Sequence, residues 1–312
     1  MQTFFSIAEF QSTRPLLLTV GTFDGVHLGH QAILSQIASE AEAQGLASAV
    51  LTFHPHPRMV LKPNEPMYLL QTIEEKQAAI ADLGIDYLIV QPFDAAFSEL
   101  DAETYVKQLL VDKLQVSKML VGYDHRFGAK RQADYSDLQR FGAQYGFEVE
   151  QLSQQTVDAL TISSTEIRTA LLSGQVALAE KLLGRPYDFT GTVVHGKKLG
   201  RTIGYPTANI EITDFHKLVP GLGIYAVISE IDGQMVKGMM SIGTNPTVGG
   251  QTRTIEIYYF DFEGDLYGKT ITTYCLGYLR AEAKFESLEQ LKKALEQDAD
   301  DSFAVFNEKG IH

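Results

Sequence analysis

Tryptophan is absent, and cysteine nearly so: Cys275 stands alone among 312 residues. One thiol excludes an internal disulfide and fits a reducing compartment. Positive charge is also scarce. Lys and Arg total 26 against 39 Asp and Glu, for a net charge of −13. Such an acidic chain is poorly suited to nucleic-acid backbones or anionic membranes, although it can still hold a local basic pocket. No apolar run approaches the roughly 20 residues of a membrane span. The opening MQTFFSIAEF lacks the basic start and apolar run of a signal peptide. The expected setting is the cytoplasm. There is no internal repeat or low-complexity tract. What is present, 45% hydrophobic and 21% charged residues, suits a globular protein with room for two domains.

The first part of the chain alternates short apolar, β-branched segments (16–20, 47–53, 86–91, 118–123, 147–152) with helical patterns near 31–44, 73–83, 102–114 and 136–145. Strands alternating with helices predict an α/β, Rossmann-like domain with a parallel sheet. Open sheets of this kind bind ligands at the carboxyl ends of their strands. GTFDGVHLGH, TFHPHP and VGYDHRFG each follow an expected strand, so all three should line one rim. Two short helices are expected within 162–183. After Gly184 the pattern changes to strand alternation at 189–195, 224–231, 235–242, 254–262 and 270–276, with a last helix near 288–297. That predicts an all-β second domain, a Greek-key barrel with a terminal helix. The expected domains are 1–184 and 185–312.

Gly21–His30 is the most informative run. Its H-x-G-H spacing puts His27 and His30 where a strand ends and a helix begins. Backbone N–H groups and the helix dipole favour anions there. Histidines at such a junction can donate to phosphate oxygens and take up charge near neutral pH. Gly21, Phe23, Asp24 and Gly29 are candidate nucleotide-binding positions in the same run. Later, ISSTEIR places Ser164 and Thr165 at a second helix start, with Arg168 on its first turns, able to reach phosphate. Taken alone, that segment reads more readily as an ordinary capped helix with a solvated Arg. His54 and His56 are not read as metal ligands, because no third ligand lies at a useful spacing.

In the second part, Gly196, Gly200 and Gly204 make a pliable loop able to wrap phosphates. It differs from the G-x-x-x-x-G-K-[ST] P-loop. Thr207 and Asn209 alternate on an extended segment and so share a face. Their oxygens are hard ligands suited to Mg2+ bridged to phosphate, or another divalent cation. Alternation also puts Glu256 with Tyr258 and Phe260, opposite Ile255, Ile257 and Tyr259. A carboxylate desolvated among aromatics would suit a general base; a solvated outward Glu is the other reading.

HxGH early and ISSTEIR late resemble a nucleotidyltransferase superfamily. The resemblance implies that His27 and His30 act at the α-phosphate and that Ser164, Thr165 and Arg168 hold the outgoing pyrophosphate. Further contacts would come from His56 of TFHPHP and from VGYDHRFG. In the latter, Asp124 can accept from a ribose or base and Arg126 can face a phosphate. GRTIGYPTANI, SIGTNPT, IEIYYFDFEGDLYGK and LRAEAKF are similar to the riboflavin kinase module. The whole chain therefore resembles the bacterial bifunctional riboflavin kinase/FMN adenylyltransferase family, also called FAD synthetases. The resemblance implies ATP as co-substrate and riboflavin, FMN and FAD as flavin partners. It implies Thr207 and Asn209 at Mg2+-nucleotide, Glu256 as the base toward the riboflavin 5′-hydroxyl, and Arg280, Glu282 and Phe285 near the flavin. The sequence departs from the family where His125 replaces Phe, Ala133 replaces Gly and Tyr258 replaces His. Those departures motivate one alternative: a divergent paralogue with kinase activity only, or a flavin- or nucleotide-binding regulator.

Overall fold

Consecutive leucines set the first sheet. Leu16, Leu17 and Leu18 are all fully buried; Leu16 and Leu18 pack into one apolar layer and Leu17 into the other. A continuous apolar run, rather than an alternating one, is what a strand covered on both faces requires. The computed structural model describes residues 1–122, 126–152, 162–196, 200, 203–247 and 250–311. These residues form two compact units, Met1–Ser164 and Thr165–His312.

In the first unit the strands are β1 Gln2–Phe4, β2 Leu16–Val20, β3 Ala47–His54, β4 Tyr87–Pro92, β5 Val116–Val121 and β6 Glu148–Gln151. They pair in parallel in the order β1-β4-β3-β2-β5-β6. The helices are α1 Leu28–Gln44, α2 Pro57–Leu61, α3 Ile73–Ala81, α4 Ala95–Ser98, α5 Ala102–Thr104 and α6 Tyr135–Tyr145. The five expected strands are present. The edge strand β1 was not expected, because three residues carry no readable period; its pairing with β4 creates it. The expected helix over 102–114 is α-helical only at its start. It continues as a π-helix over Tyr105–Lys113, with an i→i+5 bond from Leu114 N–H to Leu109 O. Thr72 and Glu75 form a capping box at the start of α3.

Pairing order matters for the site. From β2 the chain adds β3 and β4 on one side, then returns to add β5 and β6 on the other. β2 and β5 therefore flank the topological switch point, where open parallel sheets form a crevice. The loops after β2, β3 and β5 all leave from the same edge.

The second unit contains α7 from Thr165 of Ser164–Leu172, α8 Val176–Leu183, a closed antiparallel barrel and the terminal α9 Leu288–Glu308. The barrel strands are β7 Tyr187–Val194, β8 Thr207–Glu211, β9 Gly223–Ile231, β10 Gln234–Thr247, β11 Gly250–Tyr259 and β12 Thr270–Arg280. β9, β10 and β11 are successive neighbours, and β12 returns beside β9, the Greek-key connection. Both helices ahead of the barrel group with it, α8 packing on β7 and β12, so contacts divide the chain at Ser164/Thr165. The composition change at 184/185 marks instead where barrel strands begin.

The last helix runs well past the expected 288–297. Within the added turns, Asp298 is 1% exposed and accepts from Arg280 Nε at 2.6 Å and a second guanidinium nitrogen at 2.7 Å. Pairing is what permits that burial. Phe306, fully buried with Ala226 and Leu276, seats the extra turns on the barrel.

Barrel closure demands glycine at 191. A Cβ there would lie 2.5 Å from Ile210 Cγ2 and 2.8 Å from the Glu211 carbonyl oxygen. Gly191→Ala is expected to destabilise the barrel by about 1–3 kcal/mol through overpacking, read as a lower thermal midpoint for the second unit. An unchanged midpoint would contradict this packing account.

Candidate active sites

The turn after β2 is backbone-strained. Phe23 and Val26 have φ of 45° and 39°, and Gly25 has 92°. Left-handed conformations at bulky residues persist only where surroundings enforce them. Here they do. The Asp24 carboxylate, 1% exposed, accepts from Leu70 N–H at 3.0 Å and from Gln71 N–H at 3.3 Å. The Thr22 carbonyl accepts from Lys76 Nζ at 2.8 Å and from the Thr52 hydroxyl at 3.2 Å. The Ser164 hydroxyl donates to the Asp24 carbonyl at 2.8 Å. Thus ISSTEIR does reach the GTFDG turn, through its second serine.

The turn delivers His27 as the N-cap of α1, three residues earlier than the expected helix start. His27 Nδ1 accepts from His30 N–H at 3.3 Å, so its own proton resides on Nε2. The two imidazoles stack with centroids 3.6 Å apart, and Phe23 meets His30 edge-on at 5.1 Å. Gly21 keeps space for that phenyl ring, since a Cβ would lie 3.0 Å from it. Gly29 is buried in the first turn of α1.

Burial pushes the His27 pKa down to about 4, with the Asp24 carboxylate pulling the other way. Burial also holds His30 well below the usual imidazole value, with His27 and Lys76 adding to the effect. The expectation that these rings take up charge near neutral pH is therefore corrected: both are neutral donors, because burial penalises the imidazolium. His30 Nδ1 is buried with no hydrogen-bond partner among the described residues.

Around this rim, His56 caps α2, its Nδ1 accepting from Arg58 N–H at 3.1 Å. Arg126 is exposed, while Asp124 and His125 lie outside the described residues. Ala133 is buried in the apolar cluster with Phe127, to which it pairs by backbone hydrogen bonds. Asp24 is turned inward to the 70–71 backbone, so it holds the turn. Thr165 is exposed and Arg168 half-buried on α7 in the second unit.

In the barrel, Ala208 and Ile210 point inward, leaving Thr207 and Asn209 on the outer face. Register pairs Asn209 with Glu256 and Thr207 with Tyr258. The Thr207 hydroxyl donates to Glu256 Oε2 at 2.9 Å. Glu256 is half-buried rather than enclosed by aromatics, since Tyr258 packs edge-on to Tyr205 at 5.0 Å. The glycine loop lies on these residues. A Cβ on Gly196 would fall 2.2 Å from Asn209 Nδ2, and one on Gly200 would fall 2.1 Å from the Tyr205 carbonyl oxygen. Gly204, with φ of 90°, turns the chain into Pro206. Thr207, Tyr258, Phe262 and Tyr267 line a cleft of about 610 Å³. The donor set fits Mg2+: the Thr207 proton points to Glu256, which leaves hydroxyl lone pairs for a hard cation beside the Asn209 amide.

LRAEAKF begins on the last two residues of β12. Its Arg280 is committed to Asp298 and lies over the Phe285 ring at 5.7 Å. Glu282 packs on Gly243 so closely that a Cβ there would meet its carboxylate at 2.2 Å. Sequence reading missed Thr22, Thr52, Leu70 and Lys76 as parts of the first site. They act through backbone atoms or from distant segments, and no local spacing signals that.

A switch-point crevice with stacked neutral histidines at a helix start, followed in the same chain by a barrel cleft with a Thr–Glu pair, defines a nucleotidyl- and phosphoryl-transferase class. Residues 9–166 match the FAD synthetase family model, and residues 183–306 match the riboflavin kinase model. A bifunctional riboflavin kinase/FMN adenylyltransferase of Haemophilus influenzae is 39% identical over 292 residues, covering 93% of this chain and 94% of the relative. That of Listeria monocytogenes is 41% identical, covering 93% and 92%. A solved structure described as a macrolide-efflux protein from Streptococcus pneumoniae shares the fold, with a TM-score of 0.85 at 32% identity over 96% of this chain and 97% of that one. The chain belongs to the bifunctional riboflavin kinase/FMN adenylyltransferase family.

The buried His27 makes a pH prediction. The unfolded imidazole titrates near 6.5 and the folded one near 4. Between those values the unfolded chain binds the extra proton, so stability rises with pH. Folding stability of the first unit should be undiminished by His27 above pH 6.5 and should fall by roughly 3 kcal/mol as pH drops to 4. Urea unfolding at pH 7 and pH 4.5 checks this. His27→Gln should flatten the dependence, and an unchanged slope would contradict burial as its cause.

Proposed function

We propose that this chain converts riboflavin to FAD in two ATP-dependent steps, one in each module. Adenylyl transfer is assigned to residues 1–184 and riboflavin phosphorylation to 185–312. The observation that carries this reading is the Thr207–Glu256 contact, made by a residue that lines the barrel cleft, joined to the His27-capped turn in the same polypeptide.

In the kinase module, Glu256 accepts the proton of the riboflavin 5′-hydroxyl. A neutral alcohol needs such a base when it attacks the γ-phosphorus of ATP. The Thr207 hydroxyl orients the carboxylate, and Gly196, Gly200 and Gly204 let the backbone lie close to the phosphates. Thr207 and Asn209 would hold Mg2+, which would supply neutralisation of phosphate charge. Arg280, fixed by Asp298, presents LRAEAKF, with Glu282 and Phe285 toward the flavin. In the adenylyltransferase module the nucleophile is the FMN phosphate, already an anion, so no base is required. The work is positioning and charge stabilisation. His27 donates from Nε2, and with His30 and the α1 N–H groups it stabilises charge at the α-phosphorus. Ser164, whose hydroxyl is committed to Asp24, offers its N–H. Thr165 and Arg168 complete the leaving-group site, and His56, Asp124 and Arg126 the flavin side. ATP as substrate and a lone buried thiol support a cytoplasmic setting.

Incubation with riboflavin, ATP and Mg2+, followed by flavin separation, should yield FMN and then FAD. FMN without FAD would defeat the adenylyltransferase assignment and favour a kinase-only paralogue. His30→Ala should stop FAD formation while FMN accumulates. Glu256→Gln should block riboflavin phosphorylation at least a hundredfold, as loss of a general base does, yet still convert supplied FMN to FAD. Joint loss of both activities in either folded variant would contradict separate sites.

A further inference from the structure

Lys76 is a buried cation that the two reactions above leave without a role. It lies on α3 with 7% of its surface exposed. Its Nζ donates to the Thr22 carbonyl at 2.8 Å. Among the described residues it forms no ion pair. The carboxylate whose charge acts on it is Asp24, whose oxygens are engaged by the Leu70 and Gln71 N–H groups. Burial depresses the Lys76 pKa, and Asp24 opposes that effect.

A buried ammonium without a paired anion is costly, and a neutral donor would satisfy one carbonyl at less expense. The Thr22 carbonyl does not even depend on lysine, since the Thr52 hydroxyl also donates to it. The charge therefore calls for a use beyond the hydrogen bond. Lys76 acts electrostatically on His30, so it stands close to the stacked pair. The turn it touches ends at the first turn of α1, where an anion is favoured. Both histidines are neutral, so neither supplies a full positive charge to a polyphosphate.

We propose that Lys76 is a positioning residue for adenylyl transfer: its buried ammonium holds the Thr22 end of the turn and provides the fixed positive charge that a nucleotide polyphosphate on that turn completes. This rests on the adenylyltransferase reading. Lys76 acts through the turn and its field, leaving direct donation to His27, His30 and the α1 N–H groups.

The test uses the full chain and two variants, Lys76→Met and Lys76→Arg. FAD formation from FMN and ATP is measured beside riboflavin phosphorylation, which reports on the other unit of the same molecules. Lys76→Met should raise the KM for ATP in FAD formation by at least about tenfold, the scale of losing a buried charge partner. Riboflavin phosphorylation should be unchanged. Lys76→Arg, which keeps the charge, should recover most of the loss. Without nucleotide, the thermal midpoint of Lys76→Met should equal or exceed that of the parent, because an unpaired buried charge has been removed. A lysine that serves only the fold would give the opposite pattern: an earlier midpoint, with activity lost in parallel and no selective rescue by arginine. That pattern, or a Lys76→Met variant with the parent's KM and kcat, overturns the proposal. A parent protein that forms FMN but no FAD would instead overturn the adenylyltransferase reading.

Discussion

The first unit depends on one buried carboxylate. Asp24 grips the Leu70 and Gln71 N–H groups from inside a turn whose Phe23 and Val26 sit in left-handed backbone. Without that grip the turn would relax toward ordinary φ values. His27 would then lose its place as N-cap, and the His27–His30 stack would lose its base. The Ser164 hydroxyl on the Asp24 carbonyl ties the late ISSTEIR segment to the same point. One residue thus links a strand end, a distant helix start and the last segment of the unit. Strain concentrated at a site and enforced from outside it is how folds hold a ligand-facing turn rigid.

The barrel solves a different problem by a simpler device. Strand alternation places Ala208, Ile210, Ile255 and Ile257 inside, which forces Thr207, Asn209 and Glu256 onto one outer face. Glycine then lets a loop lie directly on those side chains, as Gly196 does against Asn209. The contrast follows from the chemistry. An alcohol nucleophile needs a base held near its hydroxyl, the part proposed for Glu256, which accepts from the Thr207 hydroxyl. A phosphate nucleophile needs none, and the first unit presents buried, neutral histidines at its helix start instead.

Much of this was legible in the residues, for a physical reason in each case. Parallel strands appeared as continuous apolar runs because both faces are covered; barrel strands alternated because one face is inside. H-x-G-H and Thr-x-Asn are local spacings, and the elements they sit on preserve them. Other features were hidden. β1 exists only through pairing with β4. The π-helical stretch 105–113 has a helical period like any other. The end of α9 runs past 297 because Arg280 pairs with the buried Asp298, a contact between segments that no local spacing shows. The protonation of His27 and His30 was misread because burial, which no spacing reveals, overrides the free imidazole value. Lys76, Thr52 and Leu70 join the site from remote segments, one of them through a backbone N–H alone.

The central claim is that one chain performs both transfers, each at a different phosphorus of ATP. Parallel incubations with riboflavin and ATP labelled at either the α- or the γ-phosphorus test it most directly. The account predicts γ-label in FMN and FAD, and α-label in FAD alone. α-Label in FMN, or γ-labelled flavin with no α-labelled FAD ever forming, would contradict it.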